Sequence, residues 1–273
     1  MRTSPRRSAL AAVVLTLVFG LLPVPPSAAA ATTATDTTIA AAERIAFALT
    51  NERRTGAGLV VLRGDPRLFS LARQRAEYMA ANDTFSHTQA DGTTVFDLIS
   101  AEGIAWYGAG EIIAWNTAAT LDYSASYAVK AWMASSRHRA IIMSTGYNYV
   151  GFGLAISPTT GRRYWAGVYL KGPDRTGAWA KISSASSTAV DSASAKVTVT
   201  WSGNDTRLQV LTAGLRSYQV QARKDGGAWI DYGTMMATSL TKTWARGRVY
   251  DVRVRASDKA GNWGAWRLVT VRP

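Results

Sequence analysis

The spacing of the apolar residues changes once along the chain, and this change limits the folds that are open to it. Up to about residue 143 the apolar residues recur at helical intervals. The clearest helix follows Asp65, which would cap it, with Pro66 in the first turn. Its apolar residues are Leu68, Leu71, Ala72, Ala76 and Met79. From Tyr149 onward, apolar and polar residues alternate as they do in strands. This predicts an α+β domain followed by an all-β domain.

Low-complexity segments predict the domain boundaries. The segment SSASSTAVDSASA is small and polar without periodicity, as a flexible linker would be. The boundaries predicted from these signals are a signal peptide at 1–30, a disordered spacer at 31–38, an α+β domain at 39–180, a Ser/Ala-rich linker at 181–196 and a β-domain at 197–273.

The first thirty residues predict export. Arg2, Arg6 and Arg7 precede an uncharged apolar run and a tract of alanines, which is the pattern of a secretory signal with a small-residue cleavage site. We therefore expect a secreted or extracellular protein, associated in one alternative with the cell envelope. The chain has no cysteine, so it must stabilise itself by core burial, and thiolate nucleophiles and cysteine-based metal sites are excluded.

The positive charge is concentrated in the C-terminal third. Residues 181–273 carry 14 lysines and arginines against 6 acidic residues, whereas residues 32–180 carry 14 against 12. This asymmetry favours an anionic partner for the second domain, such as a cell-envelope polymer or a lipid surface. The alternative is that the charge only keeps the domain soluble. We expect no nucleic acid, because export and the absence of a binding motif both argue against it.

The β-domain is expected to be a small sandwich of the immunoglobulin or fibronectin type III kind, which it resembles. In that fold the strands of Tyr218 and Tyr250 are neighbours. Their outward residues would then place Arg223, Arg253 and Arg255 on one face, as a candidate ligand surface. The domain is short for this fold, so its first strand would be missing or would come from the linker.

Four motifs follow one another in the first domain. They are Asn51 with Arg54, the FSH of 85–87, the GEII of 110–113, and a run from Trp132 to Arg139 that precedes the VGFG of 150–153. In this order they resemble the bacterial branch of the CAP superfamily, the SCP-like extracellular proteins. The bacterial pattern is N-x-x-R, F-S-H, G-E-N-I, W-x-x-S-x-x-H-R and V-G-x-G.

The resemblance implies a three-layer α-β-α sandwich with a large cleft. In many CAP proteins two histidines and two acidic residues line that cleft and bind a divalent cation. His87, Glu111 and His138 match three of these positions, and the fourth falls near Ser135, where no carboxylate stands. Ile112 also replaces the usual asparagine, which removes a polar partner beside Glu111.

The residue chemistry is compatible with this site but does not require it. Two neutral imidazoles and one carboxylate can provide three ligands to a divalent cation and leave one coordination position open for water. Zinc is the cation that we expect first. Such an ion would make hydroxide available, with Glu111 as the candidate catalytic residue. Alternatively, His87 caps a helix, Glu111 pairs with Arg137 or Arg139, and His138 is an exposed residue of a basic turn.

Three functions remain open at this point. The first is a secreted protein whose His/Glu cleft binds a divalent cation or a small ligand, and which acts in binding or in contact with the cell envelope. The second is a metal-dependent hydrolase that uses the same cleft. The third is an adhesion module with a vestigial cleft.

Overall fold

The computed structural model describes the backbone of residues 28–273 and the side chains from residue 39 onward. Most of the predicted signal peptide therefore lies outside the described residues. Residues 38–273 form one compact unit. No helix among the described residues has the length and apolar character that crossing a membrane requires.

Residues 28–171 contain five helices and four strands. In chain order they are α1 (Ala28–Gly56), β1 (Arg63–Gly64), α2 (Pro66–Ala81), α3 (Val95–Ala101), β2 (Gly108–Asn116), α4 (Leu121–Ala134), α5 (Ser136–Ile142), β3 (Tyr149–Ile156) and β4 (Arg163–Lys171). The strand order is β1-β3-β4-β2, with β1 parallel to β3 and the other pairs antiparallel. The segment predicted as a disordered spacer, 31–38, falls within the span of α1, and its side chains lie outside the described residues.

The sheet is buried on both faces. One face packs against α2 and α3 through a core that includes Leu71 and Val168. The other face packs against α1, α4 and α5 through a core that includes Trp132 and Phe152. Helices on both sides of one sheet make the predicted three-layer α-β-α arrangement.

Two glycines of the VGFG motif bring α2 unusually close to the sheet. A Cβ atom on Gly151 would lie 2.2 Å from the backbone of Leu68 and Phe69, and one on Gly153 would lie 2.1 Å from that of Ala72 and Arg73. Real side chains are not tolerated at such distances. The helix backbone therefore lies directly on β3, which determines how far the side chains of α2 reach across the sheet.

The C-terminal part contains seven strands in two antiparallel sheets. The strands are β5 (Trp179–Ala189), β6 (Ser194–Asn204), β7 (Leu215–Lys224), β8 (Ile230–Met235), β9 (Ser239–Ala245), β10 (Tyr250–Asp258) and β11 (Arg267–Val271). One sheet has the order β5-β6-β9 and the other β11-β10-β7-β8. Both sheets contribute to one core that contains Trp201, Tyr218 and Val252, so the predicted all-β sandwich is present.

The predicted flexible linker at 181–196 is wrong. Its residues form most of β5 and the start of β6, and β5 pairs with β6 from Trp179↔Asn204 to Ala189↔Ala195. Strand pairing uses backbone groups, so a Ser/Ala-rich segment can pair once Ala180 and Ile182 anchor it in the core. Asp191 closes the hairpin by accepting hydrogen bonds from the backbone of Ala193 and Ser194. The first strand of the sandwich thus comes from the linker segment.

The two parts of the chain are also in direct contact. Gln209 accepts hydrogen bonds from Arg54 and from the backbone of Val60. Asp174 accepts one from the backbone of Ala213, and its carbonyl accepts one from the side chain of Asn262. These contacts replace the independent movement that a flexible linker would have allowed.

Candidate functional site

Glu111 is the centre of the candidate cleft. It lies in β2, and its side chain is buried. Oε1 accepts a hydrogen bond from Nε of Arg75 at 2.8 Å, and Oε2 lies 2.7 Å from Nδ1 of His87. Its cationic partner is therefore Arg75, and neither Arg137 nor Arg139 forms an ion pair with it among the described residues.

Arg75 is the residue that sequence reasoning missed. It lies on α2 and is completely buried, and its Nη2 donates to the carbonyl of Ser86 at 2.8 Å, next to His87. It occupies the same helical face as Leu68, Leu71 and Met79. A charged residue among the buried apolar positions of a helix needs a buried partner. The position of Arg75 in this apolar pattern was the sequence feature that could have identified it. Arg75 thus joins α2, β2 and the loop that carries His87.

The contact with Glu111 determines which nitrogen of His87 is available. A carboxylate paired with an arginine is an acceptor, so Nδ1 of His87 carries the proton. The neutral ring then presents its lone pair on Nε2, which has no hydrogen-bond partner among the described residues. A histidine oriented by a carboxylate in this way is the usual arrangement of a metal-binding imidazole. The His87 side chain is 55% exposed, so this nitrogen is accessible.

His138 lies on α5, close enough to His87 for the two rings to interact electrostatically. Burial, and secondarily the electrostatic interaction with His87, lower the pKa of His138 below its usual value. The neutral imidazole is therefore favoured near neutral pH, which is the state that binds a cation.

Arg54 holds the helix that carries His138. Nη1 of Arg54 donates to the carbonyls of Ile142 and Ser144 at 2.6 and 2.8 Å, at the C-terminal end of α5. Asn51, its partner in the first motif, forms two hydrogen bonds with the backbone of Leu62. The first motif therefore has a supporting role, and none of its side chains enters the cleft chemistry.

His87, Glu111 and His138 do not form a compact set of three ligands. Within residues 39–273, the group of three such side chains whose ligand atoms all lie within 4.8 Å is Asp174, Asp205 and Asp258. Both oxygens of Glu111 are already engaged by Arg75 and His87. The donor set that remains for a cation consists of the two imidazoles, with Glu111 as the partner that orients one of them.

The three aspartates lie where the two parts of the chain meet. Their oxygens accept hydrogen bonds from backbone amides, as in Gly214 N to Asp205 Oδ2 at 2.6 Å, and from the side chain of Asn262. Burial, and then the charges of Asp174 and Asp258, raise the pKa of Asp205, while amide hydrogen bonds partly oppose this rise.

The three arginines predicted to share a face of the second domain do so. In the register of β7 and β10, Arg223 faces Asp251, Arg253 faces Gln221 and Arg255 faces Gln219. Their guanidinium groups alternate with indole rings in the order Arg223, Trp229, Arg253, Trp266, Arg255, Trp263, with separations of 4.0 to 4.6 Å. We call these six residues the Arg/Trp ladder. The sequence indicated the arginines but not the tryptophans, which come from loops.

Two cations of the ladder form no direct ion pair within the described residues. Arg223 forms an ion pair with Asp251 at 2.8 Å. Arg253 and Arg255 donate to the neutral side chains of Gln221 and Gln219, and neither forms an ion pair within the described residues. The nearby carboxylate of Asp231 accepts hydrogen bonds from the same two glutamines and interacts electrostatically with Arg255.

Residues 47–169 match the model of the CAP family, the cysteine-rich secretory protein family. The Bacillus subtilis protein YkwD is 31% identical over 117 residues, which are 43% of this chain and 44% of YkwD. The matched region therefore spans less than half the length of that curated relative.

Two solved structures are similar to part of the chain. An outer surface protein of Borrelia burgdorferi has 22% identity and a TM-score of 0.43, covering 48% of this chain and 92% of its own. An extracellular protein of Bacillus anthracis that contains an SCP domain has 21% identity and a TM-score of 0.44, covering 55% of this chain and 44% of its own.

Proposed function

We propose that this chain is an exported binding protein whose CAP domain holds a divalent cation, zinc in the first instance, between His87 and His138. The observation that carries the proposal is the 2.7 Å contact between Glu111 and Nδ1 of His87, which leaves Nε2 free to bind a cation. The basic start, apolar run and alanine tract at 1–30 support export.

The roles of the residues follow from their contacts. Glu111 orients His87 and keeps its proton on Nδ1, while Arg75 holds Glu111 in place. Arg54 positions α5 and with it His138. A bound zinc ion would supply Lewis acidity and polarise a water molecule or a ligand oxygen. With two protein ligands, we expect weaker binding than at a site with three or four.

The test is calorimetric titration of the protein with zinc, together with NMR of the imidazole protons. His87 and His138 are the only histidines in the chain, so their signals are unambiguous. We expect about one equivalent to bind and both imidazoles to shift. The double variant His87→Ala/His138→Ala should lose this binding.

Glu111→Gln is the matched control for the orienting role. The amide keeps the shape of the side chain but loses the charge that holds the proton on Nδ1. Zinc binding should therefore become weaker but should not be abolished. Zinc binding that survives in the double histidine variant would instead belong to carboxylates, such as Asp174, Asp205 and Asp258, and would overturn the proposal. Zinc-dependent ester or amide hydrolysis that is lost with Glu111→Gln would favour the hydrolase alternative.

We further propose that residues 179–273 form a fibronectin type III-like domain whose Arg/Trp ladder docks on an anionic polymer of the cell envelope. The arrangement of the seven strands in one sheet of three and one of four supports the fibronectin type III-like fold. The second is supported by the cations of Arg253 and Arg255, which form no direct ion pair within residues 39–273.

Matched substitutions separate charge from stacking in this docking. Arg253→Gln/Arg255→Gln removes both charges, whereas Arg253→Lys/Arg255→Lys retains them. Retention on isolated cell envelopes should fall in the first variant and largely persist in the second. Equal retention of the glutamine variant and the wild type would contradict the proposal, and binding to anionic lipid vesicles alone would assign the surface to lipid.

A further inference from the structure

Three exposed aromatic side chains lie together on the CAP domain, around one cavity. Trp115 lies near the end of β2 and is 42% exposed. Tyr123 and Tyr127 lie one turn apart on α4 and are 60% and 48% exposed. Large aromatic side chains are among the most costly to leave in water, so a group of three in one place indicates a binding surface.

These residues line two adjoining cavities, which together we call the groove. A cavity of about 360 Å³ is bounded by Trp115, Asn116, Thr117, Ala118, Tyr123 and Tyr127. A second cavity, of about 410 Å³, shares Tyr123 and Tyr127 and extends past Ser126 and Lys130 to Ala134. Each volume is in the range of small-ligand pockets, ~300–1,000 Å³. From Tyr123 to Ala134 the groove follows α4 for about 16 Å.

The groove is held in shape by the surrounding fold. Asn116 is buried, its amide donates to the carbonyl of Ser124, and its oxygen accepts from the backbone of Ala118. Arg162 stacks on the ring of Trp115 with 4.5 Å between the guanidinium carbon and the ring centroid. A site of this kind does not have to be ordered by its ligand, which favours binding.

The charges around the groove are mostly positive. Lys130 lines one end, and Arg162 covers Trp115 at the other. Arg163 reaches the same loop by donating to the carbonyl of Ala119 at 3.3 Å. The acidic residues of this region are Asp122, in the first turn of α4, and Asp83, which interacts electrostatically with Arg162. An occupant with carboxylate groups would therefore complement the groove.

We propose that this groove binds a glycan chain whose sugar rings carry carboxylate groups. The C–H faces of sugar rings are weakly positive and pack on the negative faces of indole and phenol rings. Hydroxyl groups would meet polar groups such as those of Thr117 and Ser126, and carboxylates would meet Lys130 and Arg162. The extended shape of the groove suits several rings in a row. The proposal does not depend on the cation site at His87 and His138.

The experiment titrates the full chain, in the presence of EDTA, with two tetrasaccharides. One is a neutral N-acetylglucosamine oligomer, and the other alternates N-acetylglucosamine with a uronic acid. Binding is measured by calorimetry and by NMR of the Trp115 indole. We expect the acidic probe to bind more tightly, and Tyr123→Ala/Tyr127→Ala to weaken it at least tenfold. Lys130→Gln/Arg162→Gln should reduce the preference for the acidic probe and affect the neutral one little.

Two controls locate the binding. Tyr107→Ala removes another exposed aromatic ring, 65% exposed, outside the groove, and should change nothing. His87→Ala/His138→Ala should also leave glycan binding unchanged, which separates this proposal from the cation site.

Three results would overturn the proposal. The first is that neither probe binds. The second is binding that survives Tyr123→Ala/Tyr127→Ala and is lost with Arg253→Gln/Arg255→Gln, since it would place the glycan on the Arg/Trp ladder. The third is self-association that the tyrosine variant abolishes in sedimentation experiments, since the groove would then be an interface between copies of the chain.

Discussion

Nε of Arg75 lies 2.8 Å from Oε1 of Glu111, and both side chains are buried. This ion pair connects the helix above the sheet with a strand of the sheet, and the other oxygen of Glu111 contacts His87. The position of an accessible imidazole therefore depends on a charge pair that is not itself accessible. Burying either charge without the other is strongly unfavourable, so the pair holds α2 and β2 in this arrangement.

Arg75→Met should leave Glu111 buried without its cation. We expect a loss of about 3–5 kcal/mol in the free energy of unfolding, measured in urea. The double variant Arg75→Met/Glu111→Leu should be more stable than the sum of the two single losses predicts, because it leaves no uncompensated buried charge. Strict additivity of the two losses would contradict a coupled pair.

Gly153→Ala should disrupt the contact between α2 and β3. The added Cβ would lie 2.1 Å from the helix backbone, so the helix must move. We expect a loss of at least about 1–3 kcal/mol in thermal or urea unfolding. Gly108→Ala is the matched control on the same sheet, because its nearest neighbour would be 3.7 Å away. Equal stability of the two variants would show that the close approach is not required.

Trp266→Ala should weaken the Arg/Trp ladder at its centre. Trp266 packs against both Arg253 and Arg255, at 4.4 and 4.5 Å. At about 0.5–2 kcal/mol for each contact, we expect a loss of about 1–4 kcal/mol in the free energy of unfolding. Leu268→Ala, at a neighbouring exposed position of β11, should cost less. A Trp266→Ala variant as stable as the wild type would mean that the stacking is incidental.

The contribution of Asp205 to the free energy of unfolding should become more favourable as the pH falls through its raised pKa. Its folded-state pKa is raised chiefly by burial, so the ionised form is disfavoured in the folded protein relative to the unfolded chain, where the value is ordinary. Protonation relieves this penalty as the pH falls through the folded-state pKa, and the relief is complete below the ordinary value. Other aspartates with lowered pKa values, such as Asp65, act in the opposite direction.

The effect of Asp205 is therefore measured site by site, by NMR titration of its carboxyl carbon. The midpoint should lie above the ordinary aspartate value of 3.8. Asp258→Asn should lower this midpoint, because the charge of Asp258 contributes to the rise. A midpoint at or below 3.8 in the wild type would contradict the prediction.

The sequence was sufficient to predict features that depend only on residues nearby in the chain. The helical spacing after Asp65 predicted α2, and the alternation in β7 and β10 predicted that three arginines share a face. The contact between His87 and Glu111 was anticipated only through the order of the motifs. Arg75 was not, because its importance depends on a carboxylate 36 positions away in the sequence. The linker prediction failed because composition does not show which backbone groups find a partner.

The sequence by itself determined the kinds of elements, the change from helices to strands and the residues available to the cleft, since these depend on spacing and side-chain chemistry. Only the tertiary structure decided how the residues are used. Glu111 became the orienting partner of His87 because a buried arginine from α2 engages its other oxygen. The Ser/Ala-rich segment became a strand because β6 and the core beside it complete its hydrogen bonds and bury its few apolar residues.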